Sequence, residues 1–184
     1  MPEFPFPARR QNRLIAPLVV LIGASLWLAQ GSTVALSQVA GDEAELERLR
    51  VKAEDAMANE DADGAAMAMG RAALMALHLA KRQTDGIRGQ MFQGAEHLFR
   101  SQEHGYRALA LFRRAGGQLP ASSGVCGSLR LAQTEVEHSL QTLATTTSTD
   151  EINRQVSQQA QELLQAAETW MTVLDSMQTD FQCV

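Results

Sequence analysis

Aromatic residues are scarce in this chain of 184, at 5%, with one Tyr and two Trp. Proline is rarer still, and none follows Pro120. β-Branched residues are sparse after residue 41. A sheet core draws on aromatic and β-branched side chains, so these shortages disfavour one. The dominant Leu, Ala and Gln are strong helix formers. Cysteine is limited to Cys126 and Cys183. No CxxC or CxxCH spacing occurs, which excludes a thioredoxin-like redox motif and an attachment site for a c-type haem. A basic stripe is missing too, and the net charge is −5. Nucleic acid is therefore not an expected partner. A chain of this length supplies one domain with a proper core and hardly two.

The longest stretch without charge runs from Leu14 to Gly41. Its apolar part, residues 14–36, would span ~35 Å as a helix, enough for a bilayer core. Pro17 falls in its first turn, where a missing N–H costs little. Arg9, Arg10 and Arg13 stand directly before it, against Glu3 alone. That bias holds the N-terminus in the cytoplasm and sends the rest across. The expected organisation is a cytoplasmic tail (1–13), a transmembrane helix (14–36), a linker (37–41) and a helical extramembrane domain (42–184). The implied location is a bacterial inner membrane, with the C-terminal domain in the periplasm. A cleaved signal peptide is the competing reading, because polar Gln30-Gly31-Ser32-Thr33 follows the apolar core. Arg9-Arg10 lacks the hydrophobic residue that a twin-arginine signal needs soon after the pair.

Beyond Gly41 the pattern predicts an all-α bundle or stack of about five helices. The first opens at Asp42 and carries Leu46, Leu49, Ala53 and Met57 on one face, before a turn at Glu60-Asp61-Ala62-Asp63-Gly64. A second, from Ala65 to about Arg82, points Met67, Leu74, Leu77 and Met75 inward. Thr84 caps a third, which carries Ile87, Met91, Ala95, Leu98 and Phe99. Gly105-Tyr106 interrupts that segment, and Leu109, Phe112 and Ala115 resume the apolar face. The clearest break is Gly116–Gly124. The next helix aligns Leu129, Ala132, Val136, Leu140 and Leu143 and ends in Thr145-Thr146-Thr147. Ser148 and Glu151 then form a capping-box pattern.

The last segment has the sharpest periodicity. Val156, Ala160, Leu163, Ala167, Trp170, Leu174, Met177 and Phe181 alternate spacings of four and three, a seam suited to lengthwise helix packing. Its partner is either the preceding helix, folded back across the short Thr/Ser loop, or a helix of another protein.

Two stretches resemble tetratricopeptide-type helical hairpins. One is Ala53–Ala66, continuing to Arg71-Ala72; the other is Leu98–Ala115, followed by Leu119-Pro120. Ala72 and Ala115 would occupy matching late positions, though the separation is longer than that family's repeat and both stretches lack its tryptophan. The resemblance implies hairpin stacking and peptide binding.

No catalytic, cofactor-binding or metal-ligand set emerges, and no cofactor is expected. His97 and His104 are seven residues apart and, with Met67, Met69, Met75 and Met91, could suit copper; methionines at such spacings more often fill cores. Asp61 and Asp63 lack the rest of a calcium loop. Cys126 and Cys183 form a candidate disulfide if the domain lies in an oxidising compartment. A hairpin hinged near Thr147 leaves them unequal distances from the turn, so pairing requires the last residues to leave the helix, an earlier start to the first arm, or a shifted turn. The expected function is a non-catalytic, membrane-anchored accessory or scaffold subunit of a membrane complex. It would touch other subunits through the Val156–Phe181 seam and lipid through residues 14–36, where Gly23, Ala24 and Ser25 permit close helix contact. A ligand-binding sensory bundle and a secreted helical protein are the alternatives.

Overall fold

The computed structural model describes residues 35–146 and 154–183. The described residues form five helices and no strand: α1 Ala35–Ala58, α2 Ala62–Arg82, α3 Gly86–Arg114, α4 Ser123–Thr146 and α5 Arg154–Asp180. All belong to one compact unit, Thr33–Val184. Each helix packs on its chain neighbour, and α5 also reaches α3. The central element is therefore α3, with α2, α4 and α5 around it. Residues 14–34 of the expected transmembrane segment and the Ser148–Glu151 capping box lie outside the described residues. Among the described residues no helix is long and apolar enough to cross a membrane.

Helix α1 begins at Ala35, so positions 37–41, expected as a linker, are helical. Gly41 is the weakest helix former in that stretch, at a cost of ~1 kcal/mol relative to Ala. Asp42 and Glu43 are tied to Arg82 of α2 at 2.7 Å and Arg88 of α3 at 2.5 Å. Leu49, Ala53 and Met57 are buried as expected, with Leu46 half-buried. The helix ends with Glu60 in the left-handed region (φ 61°), where Glu60 N–H donates to Met57 O and Asp61 N–H to Ala56 O. This paired closure satisfies the last carbonyls. Asp61 then caps α2 by accepting from Gly64 N–H, which moves that helix's start forward to Ala62.

The inward face of α2 differs from the one expected at Met67 and Leu74, while Met75 packs against the core cluster as expected. Met67 and Leu74 are 65% and 60% exposed, and Met75 and Leu77 are half-buried. Ala65, Ala66, Met69, Ala72, Ala73, Ala76 and Leu79 fill the inside instead. Sandwiched between α1 and α3, α2 has room for small side chains on its two packed sides. Met67 and Leu74 turn outward, while Met69 and Leu79 are the two large side chains buried among the alanines.

Asp85, not Thr84, caps α3 by accepting from Ile87 N–H. The helix runs without a break through Gly105-Tyr106, and both residues are buried. Gly105 marks a close approach: a Cβ there would lie 2.6 Å from Trp170 Cζ2 of α5. Gly94, on the α4 side, similarly leaves space for Leu143. Met91, Ala95, Leu98 and Phe99 are buried as expected, whereas Ala115 is exposed beyond the helix end. At one end of the stack all five helices meet around Leu79, Met91, Phe92, Leu143 and Ala160, with Leu46 and Val156 against them.

Helices α4 and α5 form the antiparallel hairpin, as Gln133 bonds both Asp175 and Gln178. Cys126 and Cys183 are joined, with Cα atoms 5.4 Å apart. Two of the adjustments that pairing required are present. Helix α4 starts at Ser123, which puts Cys126 in its first turn. Helix α5 stops at Asp180, and Gln182 takes a positive φ that swings Cys183 off the helix axis. Ala121 N–H donates to Phe181 O, and Phe181 stacks on Phe112 at 4.0 Å, fixing the same corner.

Gly105→Ala and Gly127→Ala are expected to act with opposite signs. At Gly127, in α4, a Cβ meets nothing within 4 Å, so helix propensity should stabilise by up to ~1 kcal/mol. At Gly105 the clash with the indole should outweigh that gain and destabilise by ~1–3 kcal/mol. Chemical denaturation of both variants checks the pair. The disulfide closes a loop between positions 57 residues apart. Chain entropy sets ~4 kcal/mol as the scale of its stabilisation, so Cys126→Ser/Cys183→Ser should lose ~2–4 kcal/mol. Reduction should add two hydrogens to the intact mass.

Candidate functional site

The seam expected to meet a partner lies inside the chain's own fold. Ala160, Ala167, Trp170, Leu174 and Phe181 are buried, and Val156, Leu163 and Met177 are half-buried. At its centre Trp170 Nε1–H donates to Ser101 Oγ at 2.9 Å, and Ser101 Oγ–H donates to Ala132 O at 2.6 Å. Tyr106 packs edge-on against the same indole at 5.3 Å. One hydroxyl on α3 thus links α4 and α5. Burial of the Tyr106 phenol pushes its pKa up, so it stays neutral.

With the seam closed, the open surface of interest is a groove between α2 and α3. It has a volume of about 430 Å³, and Met67 and Leu74 stand on its α2 side. These two residues are seven apart, two helical turns, and so share a face. Gly70 lies between them, where a Cβ would be 3.0 Å from the Glu103 carboxyl carbon. Arg71, Arg100 and Arg107 add positive charge to the lining. Arg107 pairs with Glu103 and Arg100 with Glu96; Arg71 has no ion pair among the described residues. The Glu96 pairing holds the Arg100 guanidinium pKa up. The clue in the sequence was the alanine series, which already fills a complete helical face and leaves Met67 and Leu74 on the other.

The histidines are grouped differently from the expected His97–His104 pair. His97 Nδ1 lies 2.7 Å from Glu135 Oε2, and its ring meets His138 edge-on at 5.3 Å. One ligand atom from each of His97, Glu135 and His138 falls within 4.8 Å of the others, so this trio could hold a metal. The sequence pattern singled out neither Glu135 nor His138, which stand three residues apart on α4. His104 is half-buried, and its Nδ1 has no hydrogen-bond partner among the described residues.

Burial is the main influence on His104 and lowers its pKa; Glu103 and Glu135 oppose the shift, while Arg107 and Arg100 reinforce it. A folded-state pKa below the unfolded value means that the unfolded chain takes up the proton first. The stabilisation from neutral His104 is therefore complete above about pH 6.5 and is lost as pH falls from there through the folded pKa. Unfolding midpoints should drop on acidification below that point, and His104→Gln should flatten the drop.

Of the two hairpin resemblances, the first coincides with a real α1–α2 hairpin, while residues 98–114 lie within the single helix α3. No protein family, curated protein or solved structure matches this chain.

Proposed function

We propose that this protein is a non-catalytic, membrane-anchored helical accessory or scaffold subunit that binds a partner subunit in the α2–α3 groove. The observation that carries the reading is the exposure of Met67 and Leu74 on a helix whose opposite face is fully packed. Two large apolar side chains at helical spacing beside a groove suit an amphipathic helix laid along it. Arg71, without an ion pair of its own among the described residues, would favour an acidic residue on that segment. Apolar anchors would supply most of the affinity and charge the orientation.

The proposed location rests on separate features. Arg9, Arg10 and Arg13 before an uncharged apolar run favour an anchor with its N-terminus in the cytoplasm of a bacterium. The Cys126–Cys183 bond suits an oxidising periplasm. The domain would then offer its groove on the far side of the inner membrane, with the anchor contacting lipid.

Extraction of the full chain with its native lipid is expected to recover a stoichiometric complex with another membrane subunit. Met67→Glu/Leu74→Glu should raise the Kd of the complex at least about tenfold, the scale of one lost anchor of ~1.4 kcal/mol. Because both positions are exposed, the unfolding midpoint should stay nearly unchanged. A monomer in the native extract, or a complex indifferent to both charges, would contradict the proposal.

A further inference from the structure

We infer that His97, Glu135 and His138 form a binding site for one divalent transition-metal ion of the zinc class. This inference is independent of the groove and of the anchor. The donors are two imidazoles and one carboxylate, a set that suits Zn²⁺ and leaves a fourth coordination position for water. Magnesium and calcium favour oxygen-only shells and fit it poorly.

The distances are close to those of a coordination sphere. In tetrahedral zinc with bonds of ~2.0–2.2 Å, neighbouring donor atoms lie about 3.4 Å apart. His97 Nδ1 and Glu135 Oε2 are 2.7 Å apart, and the whole trio falls within 4.8 Å. Coordination therefore needs the first pair to open slightly and His138 to swing in. His138 is exposed, so its ring has space to move.

The frame around the trio is locked. Glu135 and His138 sit one turn apart on α4 and face His97 across the α3–α4 interface. On one side of them Ser139 Oγ–H donates to Gly94 O at 2.8 Å; on the other Ser101 Oγ–H donates to Ala132 O. Each helix is thus pinned within four residues of its ligands, which limits the reorganisation that binding would cost. Glu96 Oε2 lies 3.7 Å from His97 Nδ1, on the donor side of the ring, while its other oxygen pairs with Arg100. A lone His97–Glu135 hydrogen bond would need neither the second imidazole nor the one-turn spacing of Glu135 and His138. A bound ion uses all three and clamps α3 to α4.

The test is a titration of Zn²⁺ alone into untagged, metal-stripped full chain in detergent, with a chromophoric chelator reporting the free ion. One Zn²⁺ per chain is expected. His138→Ala and Glu135→Gln should each weaken binding by roughly 10–100-fold or more, since even loss of a supporting outer-shell group costs that much. His78→Ala, at an exposed histidine on α2, should leave affinity unchanged. Substitution with Co²⁺ should give the visible absorption of a tetrahedral site, absent in His138→Ala. Because His138 is exposed, that variant keeps its fold, and circular dichroism checks this. The absence of saturable binding, or binding that survives both His138→Ala and Glu135→Gln, would overturn the inference.

Discussion

The arrangement of the last two helices depends on the Trp170 indole lying in the gap left by Gly105. An aromatic side chain of this size removes ~200 Å² from water, about 5 kcal/mol of gross stabilisation at ~25 cal/mol/Å². Realising it requires the backbone of α3 to come within van der Waals reach, which a side chain at position 105 would prevent. It also requires a partner for the buried indole N–H, since an unsatisfied donor there costs ~1–3 kcal/mol. Ser101 supplies that partner and donates its own O–H to Ala132 O on α4. Apolar burial, close approach and polar satisfaction thus converge within one helical turn. The disulfide corner at one end of α5 and the five-helix cluster at the other extend this contact along the hairpin.

Helix α3 is surrounded on three sides, and its faces divide the work. Gly94 and Ser101 belong to the interface with α4, where His97 meets Glu135 and His138. Gly105 and Tyr106 meet Trp170 of α5. Arg100, Glu103 and Arg107 look toward α2 and line the groove. The groove and the histidine cluster therefore share one rigid rod but not one interface. In the proposed account, a partner loads the α2–α3 side while a metal ion tightens the α3–α4 side. Neither role requires bond-making chemistry from the protein.

How much of this was legible in the sequence depended on the kind of signal. The heptad pattern from Val156 to Phe181 identified a packing face correctly, because a repeated apolar stripe is specified by the helix itself. It could not name the partner, which depends on Gly105 and Ser101 lying in a different helix. Gly105 read as a break because glycine disfavours helix locally, while the cost is offset by a contact with a residue 65 positions away. Met67 and Leu74 were placed inside on size alone. The structure buries mainly alanine there, with Met69 and Leu79, because α2 is packed closely on both sides. The cysteine pair remained open in the sequence, since its closure rests on the positive φ of Gln182 rather than on spacing. His138 was visible only as a letter. Its neighbour across the interface gives it a candidate role.

The central claim is that Trp170 docks on Ser101 of its own chain and that this contact fixes α5. A double-mutant cycle with Ser101→Ala and Trp170→Phe, read by chemical denaturation of the full chain, tests it most directly. The account predicts a coupling energy on the order of 1 kcal/mol between the two substitutions. Strict additivity would contradict it, because the indole would then be packed somewhere other than against Ser101.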